Sequence, residues 1–455
     1  MNKKDIRRIG IVLIVLLIMV GITIFASNSV NRSSETIDVE TQDSKDTLIE
    51  SGNSQADLEN PNDGTEDKEG QNSDTAGTGD SNDEAGNLNV SVDEAGDSND
   101  LNGDSANGNT QVTLTMIGDV LLHTPVSDSG LMADGSYDYH HLFANVKSDI
   151  ESADIALVNQ EVILGGTELG LSGYPAFNGA YEVGDALVNA GFDVVLHATN
   201  HALDKGRKGI ENCLNYWSGN HPQIGVVGIN GSAEQQNTIY IKEVKGIKIA
   251  ILNYTYGTNG IAMPSGMPNA VNLLDKEKIA QDVSIAKANA DFVVVCPHWG
   301  TEYTHTENTE QTEYAMYFAE LGVDLVIGTH PHVIQPVKWI ETSSGHRMLV
   351  YYSIGNFINA TSEYGSGVAE RMIGAMANVT IEKSSDGTVK IADYSVTPLV
   401  TQMLSGTGAI TTYKLSDYSP ELASQNEIIG RDDAFSYEYC VNLCDEVFAG
   451  VQQNR

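Results

Sequence analysis

The chain of 455 residues has 62 acidic and 25 basic side chains and a formal charge of −37, which disfavours a nucleic-acid binder that relies on a basic surface. Its four cysteines are too few for a scaffold built on disulfides. The acidity is uneven: residues 1–26 have four basic and one acidic side chain, residues 27–110 have 21 acidic and three basic, and residues 111–455 have 40 acidic and 18 basic. The last segment is long enough for one large domain.

Residues 9–26 form an apolar run of 18 residues without a charge. This is about the length needed to cross a hydrocarbon layer ~30 Å thick at ~1.5 Å per residue. Four basic side chains precede the run, so the positive-inside rule predicts a cytoplasmic tail at residues 1–8 and an extracytoplasmic main domain. We therefore predict a single-pass anchor in the cell membrane. A cleaved signal peptide is the alternative, although the run is long for one and no small-x-small cleavage site follows it.

Residues 27–110 contain no Phe, Trp or Tyr and consist largely of Ser, Asn, Asp, Glu, Gly and Thr. Such a segment cannot bury enough apolar surface to offset the entropy lost on ordering. We predict a disordered acidic linker that holds the following domain away from the membrane. A calcium-binding acidic repeat is the alternative, but the regular spacing of calcium loops is missing.

Beyond residue 110, short apolar runs alternate with helical stretches, which is typical of an α/β fold. The predicted strands are residues 112–117, 154–158, 192–196, 247–252, 292–295, 325–327 and 348–352, and the predicted helices are residues 181–190, 205–217, 275–290 and 309–321. The strands are apolar almost throughout, which indicates a sheet covered on both faces. Residues 401–455 are predicted to be a C-terminal extension with a helix within 432–448.

Polar clusters follow five of the predicted strands. The clusters are Gly118-Asp119 with His123, Asn159-Gln160-Glu161, His197-Ala198-Thr199-Asn200-His201, Cys296-Pro297-His298-Trp299-Gly300 and Gly328-Thr329-His330-Pro331-His332. Ligands of open α/β sheets bind beyond the carboxyl ends of the strands, so distant clusters can meet there. Imidazole, carboxylate and amide groups together suit Zn, Mn or Fe. Each residue alone could be a cap or a hydrogen-bonded loop residue, but the joint pattern predicts a shared metal site.

A pair of ions is one form that such a site takes. His330 and His332 flank Pro331, which stiffens the backbone so that both rings can converge. A bridging carboxylate would hold two ions ~3.5–4 Å apart and lower the pKa of a bound water. A site with one ion, or a non-catalytic site, is the alternative.

Six motifs, taken in order, resemble those of the bacterial capsule-synthesis CapA family. They are Gly118-Asp119 with a downstream His, Asn159-x-Glu161, Ala198-Thr199-Asn200-His201-Ala202-Leu203-Asp204, His298-Trp299-Gly300-x-Glu302-Tyr303, Gly328-Thr329-His330-Pro331-His332-Val333-x-Gln335 and Tyr352-Ser353-Ile354-Gly355-Asn356-Phe357. The resemblance covers about residues 111–400. It implies the layered α/β sandwich of calcineurin-like metallophosphoesterases and a role in the synthesis, export or anchoring of poly-γ-glutamate.

The resemblance also implies a ligand set. One metal would be surrounded by Asp119, His123, Glu161 and His332, and the other by Glu161, Asn200, His298 and His330, with Glu161 as the bridge. His201 would protonate the leaving group or stabilise the transition state. Two departures stand out: the family's Asp-x-His is Asp119-x-x-x-His123 here, and its second carboxylate motif is replaced by Asn159-Gln160-Glu161.

Further residues are candidates for substrate binding. They are Trp299, Glu302, Tyr303, Asn356 and Arg371. Trp299 could instead be simple packing, and Asn356 could merely shape a tight turn. Asp204 is interpreted as the N-cap of the following helix.

Together these features predict a membrane-anchored, metal-dependent hydrolase or transferase that acts on a phosphoester or an amide with one or two divalent ions, Mn, Zn or Fe. Its predicted partners are a surface polymer such as poly-γ-glutamate, the membrane-embedded proteins that make or export it, and the cytoplasmic membrane, with no nucleic acid. A non-catalytic polymer-binding or export subunit and a general cell-surface metallophosphoesterase are the alternatives.

Overall fold

The structure is a computed structural model that describes residues 90–94, 109–406 and 408–455. The predicted tail at residues 1–8 and the predicted anchor at residues 9–26 lie outside these ranges. Among the helices that are described, none has both the length and the apolar character needed to cross a membrane. One part of the predicted linker differs from expectation: residues Val90–Glu94 are a strand that pairs in parallel with residues 239–243. Backbone hydrogen bonds at a sheet edge form without an apolar core, so composition did not predict this pairing.

Fifteen strands and nine α-helices occur within the described ranges. The strands are β1 (Val90–Glu94), β2 (Thr110–Val120), β3 (Ile155–Asn159), β4 (Val194–Leu196), β5 (Gly225–Val227), β6 (Ile239–Val244), β7 (Ile247–Thr255), β8 (Phe292–His298), β9 (Leu325–Ile327), β10 (Val337–Glu341), β11 (Arg347–Tyr351), β12 (Asn356–Ile358), β13 (Ile373–Lys383), β14 (Val389–Met403) and β15 (Ile410–Lys414). The helices are α1 (Thr124–Ser129), α2 (Lys147–Glu151), α3 (Tyr181–Ala190), α4 (Gly206–Asn220), α5 (Ala233–Asn237), α6 (Lys276–Asn289), α7 (Thr309–Leu321), α8 (Pro420–Ala423) and α9 (Tyr437–Val447).

The strands form two sheets. The seven-stranded sheet has the order β1-β6-β7-β8-β9-β11-β10, and the eight-stranded sheet has the order β15-β14-β13-β2-β3-β4-β5 with β12 beside β2. Strands β2, β3, β4 and β5 run parallel to one another, as do β7, β8, β9 and β11. Within each of these parallel groups, the carboxyl ends of the strands therefore share one edge.

The core lies between the two sheets and between each sheet and its helices. On β7, Ile249 and Ile251 belong to the buried cluster shared with the eight-stranded sheet, whereas Leu252 packs with α6 and α7. The Cys296 Sγ of one sheet lies 3.8 Å from the Met116 Sδ of the other. Apolar side chains of α3 and α4 join the first cluster. The chain is thus a mixed α/β fold, as the alternation of strands and helices predicts.

Element bounds agree closely with the sequence where terminal signals are strong. The predicted helices 181–190 and 309–321 have the observed bounds, and α7 begins with a capping box in which Asn308 and Gln311 bond each other's backbone N–H. The predicted boundary at residue 400 does not hold, because β14 runs through it to Met403 and β15 extends the same sheet. Two cysteines of α9, Cys440 and Cys444, are buried in the main core, so residues 401–455 belong to this domain.

Candidate metal centre

The carboxyl ends of strands from both sheets supply one buried cluster of polar side chains. The eight-stranded sheet places Asp119, Glu161 and Asn200 at or just beyond β2, β3 and β4, and the seven-stranded sheet places His298, His330 and His332 at β8 and after β9. None of these six side chains is more than 5% exposed. The structure therefore brings together six of the seven predicted ligand residues.

Asp119, Glu161 and His332 form the tightest part of the cluster. The Asp119 Oδ2 lies 3.3 Å from His332 Nδ1, and the Glu161 Oε1 lies 3.7 Å from His332 Nε2. Tetrahedral bonds of about 2.0–2.2 Å to one ion would set neighbouring ligand atoms roughly 3.3–3.6 Å apart. The two contacts use different nitrogens of the His332 ring, only one of which can bind a given ion. One ligand atom of each of the three side chains nevertheless lies within 4.8 Å of the others, which is close enough for a shared ion after small side-chain adjustments.

Glu161 also contacts the second predicted group. Its Oε1 lies 3.9 Å from His298 Nε2, and that nitrogen is 2.9 Å from the Asn200 Oδ1. The ring of His330 is 4.8 Å from the ring of His298. Glu161 thus lies between the two histidine groups, which is the position that a bridging carboxylate requires.

Several donor and acceptor atoms of the cluster are buried without a partner. Both carboxylate oxygens of Glu161 and the Nδ1 of His330 make no hydrogen bond. Burial raises the pKa of the Glu161 carboxyl, Asp119 adds to the increase, and His332 opposes it. A buried charge without a partner costs several kcal/mol. A divalent cation would supply the missing partner, so these residues fit such an ion.

The histidines differ in their electrostatics. Burial lowers the pKa of His298 and of His330, which keeps both imidazoles neutral, the form that binds metals. Burial also acts to lower the pKa of His332, but the carboxylates of Glu161 and Asp119 outweigh it and raise that pKa to about 10. Within the described protein, His332 is the cation that the two acids share, and a metal ion would replace its proton.

Backbone strain is concentrated at this site. Five non-glycine residues in the described ranges have positive φ, and four of them border the cluster: Asn259 at 51°, Tyr303 at 60°, His330 at 99° and His332 at 58°. Such a conformation costs on the order of 1–3 kcal/mol per residue and persists only where surrounding contacts enforce it. Here the His330 N–H donates to Asp119 Oδ2 at 3.2 Å, which holds the loop onto the cluster.

A second layer of side chains orients the cluster. The Asn159 Nδ2 donates to Asp119 Oδ1 at 2.8 Å, and Thr329 Oγ1 lies 3.0 Å from His298 Nδ1. Asn356 was predicted to bind substrate, but its Oδ1 lies 3.0 Å from His332 Nδ1 and its Nδ2 donates to the carbonyl of His332. Asn356 therefore positions His332, because its amide is already fully used.

His201 lies beside the cluster and is held by Asp204. The His201 Nδ1 is 2.7 Å from Asp204 Oδ2, and the two side chains are 8% and 2% exposed. Since a carboxylate only accepts, Nδ1 carries the proton and Nε2 is left for the cavity. The interpretation of Asp204 as a helix cap is wrong: α4 has Lys205 at its N-cap, without a side-chain cap, and Asp204 instead accepts from the backbone of Phe177.

Thr199 connects His201 to the metal candidates. Its hydroxyl donates to the Glu161 carbonyl at 2.7 Å and accepts from the His201 N–H at 3.2 Å. The loop after β3 and the loop after β4 are thereby fixed to each other, so the distance from the proposed acid to the bridging carboxylate is set by backbone contacts.

A cavity of about 590 Å³ opens onto the cluster. Its lining includes Asn200, His201, Glu302, Tyr303, His332, Asn356 and Arg371. Three predicted substrate-binding residues, Glu302, Tyr303 and Arg371, thus lie in the cavity wall. Glu302 also belongs to a second group of close donor atoms, with His330 and His332.

The prediction for Trp299 needs correction. Trp299 is 1% exposed and lies in the core, where its indole N–H donates to the Tyr352 carbonyl at 2.9 Å. His123 is the N-cap residue of α1, lines the cavity and packs edge-on against Phe177 at 5.5 Å. Its Nδ1 is buried without a hydrogen-bond partner, so its role as a ligand stays a prediction.

The sequence analysis missed Asn259. Its Oδ1 accepts from Asn200 Nδ2 at 3.3 Å. Its Nδ2 lies 3.4 Å from His201 Nδ1 without a hydrogen bond, because that nitrogen donates its proton to Asp204, so Asn259 packs between a ligand candidate and the proposed acid. Asn259 follows β7, and the end of that strand has no histidine or acid that would indicate a site. Only its position indicates a role: β7 neighbours β8 in the same sheet, so a polar residue in the loop after β7 lies near His298 at the end of β8.

Comparison with known proteins agrees with the motif pattern. The model of the family described as "Bacterial capsule synthesis protein PGA_cap" matches residues 113–361. The chain belongs to this family. It is 31% identical over 215 residues to the PGA biosynthesis protein CapA of Bacillus subtilis (strain 168), covering 47% of this chain and 52% of that protein. It is 26% identical over 263 residues to the capsule biosynthesis protein CapA of Bacillus anthracis, covering 55% of this chain and 60% of that protein. The matches thus span less than two thirds of these curated relatives.

Two solved structures with partial likeness to this PGA_cap family member are nucleotidases. The NAD nucleotidase of Haemophilus influenzae has a TM-score of 0.41 and 12% identity, covering 76% of this chain and 64% of that one. The 5'-nucleotidase precursor of Thermus thermophilus has a TM-score of 0.40 and 14% identity, covering 74% of this chain and 59% of that one.

Proposed function

We propose that this protein is a metal-dependent hydrolase or transferase that acts in the production, release or attachment of a surface polymer such as poly-γ-glutamate. The bond it cleaves is a phosphoester or an amide. Membership in the PGA_cap family supports the link to capsule synthesis. The activity is inferred from the candidate metal centre.

The unpartnered carboxylate of Glu161 is the observation that carries the proposal. Both of its oxygens are buried without a hydrogen bond, and Oε1 lies within 4 Å of ring nitrogens of His298 and His332. A purely structural acid would have acquired a donor, because leaving one unsatisfied is costly. The arrangement makes physical sense when Glu161 bridges one or two divalent ions.

Asp119, Glu161 and His332 would hold one ion, and Glu161, Asn200, His298 and His330 would hold the other. Ions of this kind supply Lewis acidity, which makes hydroxide available near neutral pH and neutralises negative charge that develops on the substrate. The neutral imidazoles and the O and N donors suit Mn, Zn or Fe.

The remaining chemistry belongs to the chain's own residues. Asp204 fixes the tautomer of His201, so that Nε2 faces the cavity and can carry a proton to a leaving oxygen or nitrogen. Burial of the cluster excludes bulk water and strengthens each electrostatic interaction within it. The strained loop at residues 330–332 holds its two rings in place before substrate arrives.

The proposal includes a location. An anchor at residues 9–26 would place the catalytic domain outside the cell membrane, joined to it by the acidic linker, with residues 1–8 in the cytoplasm. The chain would then meet its polymer where membrane-embedded synthesis and export proteins release it. The support for this arrangement is the charge and hydropathy pattern of the sequence.

Metal analysis combined with two assays tests the proposal. The purified full chain is measured for bound divalent ions, and then for turnover of a chromogenic phosphodiester and for cleavage of poly-γ-glutamate, before and after treatment with a chelator. We expect one or two ions per chain and turnover that the chelator abolishes and added Mn²⁺ or Zn²⁺ restores.

A folded chain that binds no ion and turns over neither compound would refute the enzymatic proposal and leave a polymer-binding or export subunit. Turnover of the phosphodiester, with no cleavage and no binding of poly-γ-glutamate, would instead indicate a general surface phosphoesterase.

A further inference from the structure

Beyond the ligand candidates, the cavity wall contains one permanent cation. Arg371 is the only Arg or Lys among the residues that line the cavity in the described part of the chain. It is 9% exposed, and its guanidinium lies 3.6 Å from the centre of the Tyr303 ring. Its Nε is buried without a hydrogen-bond partner. The stacking on Tyr303 fixes the position of the guanidinium, and one of its N–H groups has no acceptor. Arg371 can therefore bind an anion.

The guanidinium already binds one carboxylate, supplied by the chain itself. Glu363 Oε2 lies 2.8 Å from Arg371 Nη1. The Glu363 side chain is 61% exposed, and it stands on the irregular segment between β12 and the 3₁₀ turn at residues 369–372. An ion pair with one exposed partner contributes little to stability, because water screens the attraction and the exposed side chain loses conformational freedom. A carboxylate from a ligand could therefore displace Glu363 at little cost.

The position of Arg371 couples it to the metal centre. Its carbonyl accepts from Asn356 Nδ2 at 3.0 Å, and the same amide contacts His332. The Tyr303 ring beneath the guanidinium has its centre 6.0 Å from that of His332. A group bound at Arg371 would thus lie along the same wall as the reacting bond.

We propose that Arg371 forms a carboxylate-binding subsite of the cavity, and that Glu363 occupies it until a ligand carboxylate takes its place. The guanidinium fork donates to both oxygens of a carboxylate, which fixes the orientation of the bound group. Glu302 and Glu363 make the nearby wall acidic, which favours a group with a single charge over a phosphate dianion. Resting on the proposed function, the inference identifies the ligand class as a polymer with one free carboxylate per repeat, such as γ-linked glutamate.

Calorimetric titration of the full chain with a γ-linked glutamate trimer tests the subsite. The matched probe is the same trimer with its α-carboxylates converted to amides. We expect Glu363→Gln to tighten binding of the acid trimer roughly two- to fivefold, since an internal competitor is lost. Arg371→Met should weaken it roughly tenfold or more, since a charge-assisted pair is lost. Neither variant should change binding of the amide probe.

The double variant makes the test specific. With Arg371→Met in place, Glu363→Gln should have no further effect, because the two residues act on one subsite. Arg371→Lys, which retains the charge without the fork, serves as a second variant if Arg371→Met folds poorly by circular dichroism. Unchanged or weaker binding of the acid trimer by Glu363→Gln overturns the proposal, as does equal tightening for inorganic phosphate.

The binding measurement is independent of turnover. Tightening by Glu363→Gln in a chain that hydrolyses nothing supports the subsite and refutes the enzyme proposal. Turnover of a phosphodiester, together with trimer binding that neither variant alters, supports the enzyme and refutes the subsite.

Discussion

The two ends of the parallel strands hold their carboxylates in opposite ways. At the amino ends, Asp154, Asp193, Asp291 and Asp324 each precede a strand and accept a backbone N–H from the neighbouring strand at 2.9 Å. At the carboxyl ends, Glu161 is buried with no donor at all. The same residue type therefore stabilises the sheet at one edge and stores unfavourable electrostatic energy at the other.

This contrast separates structural from functional acids without any knowledge of relatives. Asp154 is bonded to the Thr113 N–H, and Lys245 Nζ lies 2.7 Å from its Oδ1. Every such contact strengthens the fold, whereas the groups nearest Glu161 are imidazole rings, a type of side chain that also binds metal ions. The four amino-end acids have hydrogen-bond donors within the chain, as has Asp119 at the carboxyl end, whereas Glu161 has none and calls for a cation.

The largest expected effect comes from Glu161→Gln. The variant should lose its bound ions and its turnover, since the proposed bridge is gone. With the ions removed by chelator, however, it should be about as stable as the wild type, because the Glu161 carboxyl accepts no hydrogen bond that the amide would lose. Metal content and urea unfolding with chelator are the measurements. Destabilisation of the metal-free variant by more than about 1 kcal/mol would show that Glu161 has a structural role.

His201→Ala tests the side chain beside the cluster. It should lower kcat by ~10²–10⁴ while sparing metal content, because His201 supplies a proton and no ligand atom. His221→Ala is the matched control, since His221 also pairs with an aspartate, Asp185, at 2.7 Å but lies outside the cavity. Turnover that is normal in His201→Ala, or equally reduced in the control, would contradict the assignment.

Asp154→Asn is the counterpart of the change at Glu161. It removes the ion pair with Lys245 and weakens the bond from Thr113, so it should lower the free energy of unfolding by about 1 kcal/mol. Metal content and kcat should stay at wild-type values. A variant as stable as the wild type in urea unfolding would show that Asp154 does not stabilise the sheet, and would contradict the difference between the two strand ends.

The change with the smallest effect at neutral pH concerns a buried histidine just beyond the carboxyl end of β4 that has a hydrogen-bond partner within the chain. His197 is 1% exposed and accepts from Trp217 Nε1 at 3.0 Å, and burial lowers its pKa to about 3. In the unfolded chain its pKa is 6.5, so the folded state binds fewer protons and stability falls as pH drops from 6.5 toward 3.

His197→Gln retains an acceptor for the indole but cannot titrate. The pH dependence of the unfolding free energy, measured with chelator between about pH 6 and pH 4, should become shallower by up to about 1.4 kcal/mol per pH unit. His123 remains as a second histidine with a pKa of about 3, so part of the dependence persists. An unchanged slope would mean that His197 does not contribute to acid sensitivity.

The sequence predicted the location of the candidate site because one rule of parallel sheets connects local pattern to geometry. Strand ends can be read from hydropathy, and the ends of parallel strands share an edge, so Asp119, Glu161 and His298 were placed together before any coordinates. What the rule does not contain is the direction of each side chain. Trp299 follows His298 directly, yet it points into the core.

The residues that orient the ligand candidates could not be predicted from the sequence, for a related reason. Asp204 occupies a position where a helix cap is expected, but its partner, the backbone of Phe177, is 27 residues away. Asn356 and Asn259 likewise act through contacts across loops. Such roles depend on the path of irregular segments, which no periodicity specifies.

The ligand candidates are divided between two sheets, with Asp119, Glu161 and Asn200 on one and the three histidines on the other. An ion bound by residues of both sheets would link them, so the sheets could not separate on unfolding without first releasing the ion. Resistance to heat would then follow the free-ion concentration as RT ln(1 + [L]/Kd). The supply of metal ions would thereby set how long each molecule stays folded.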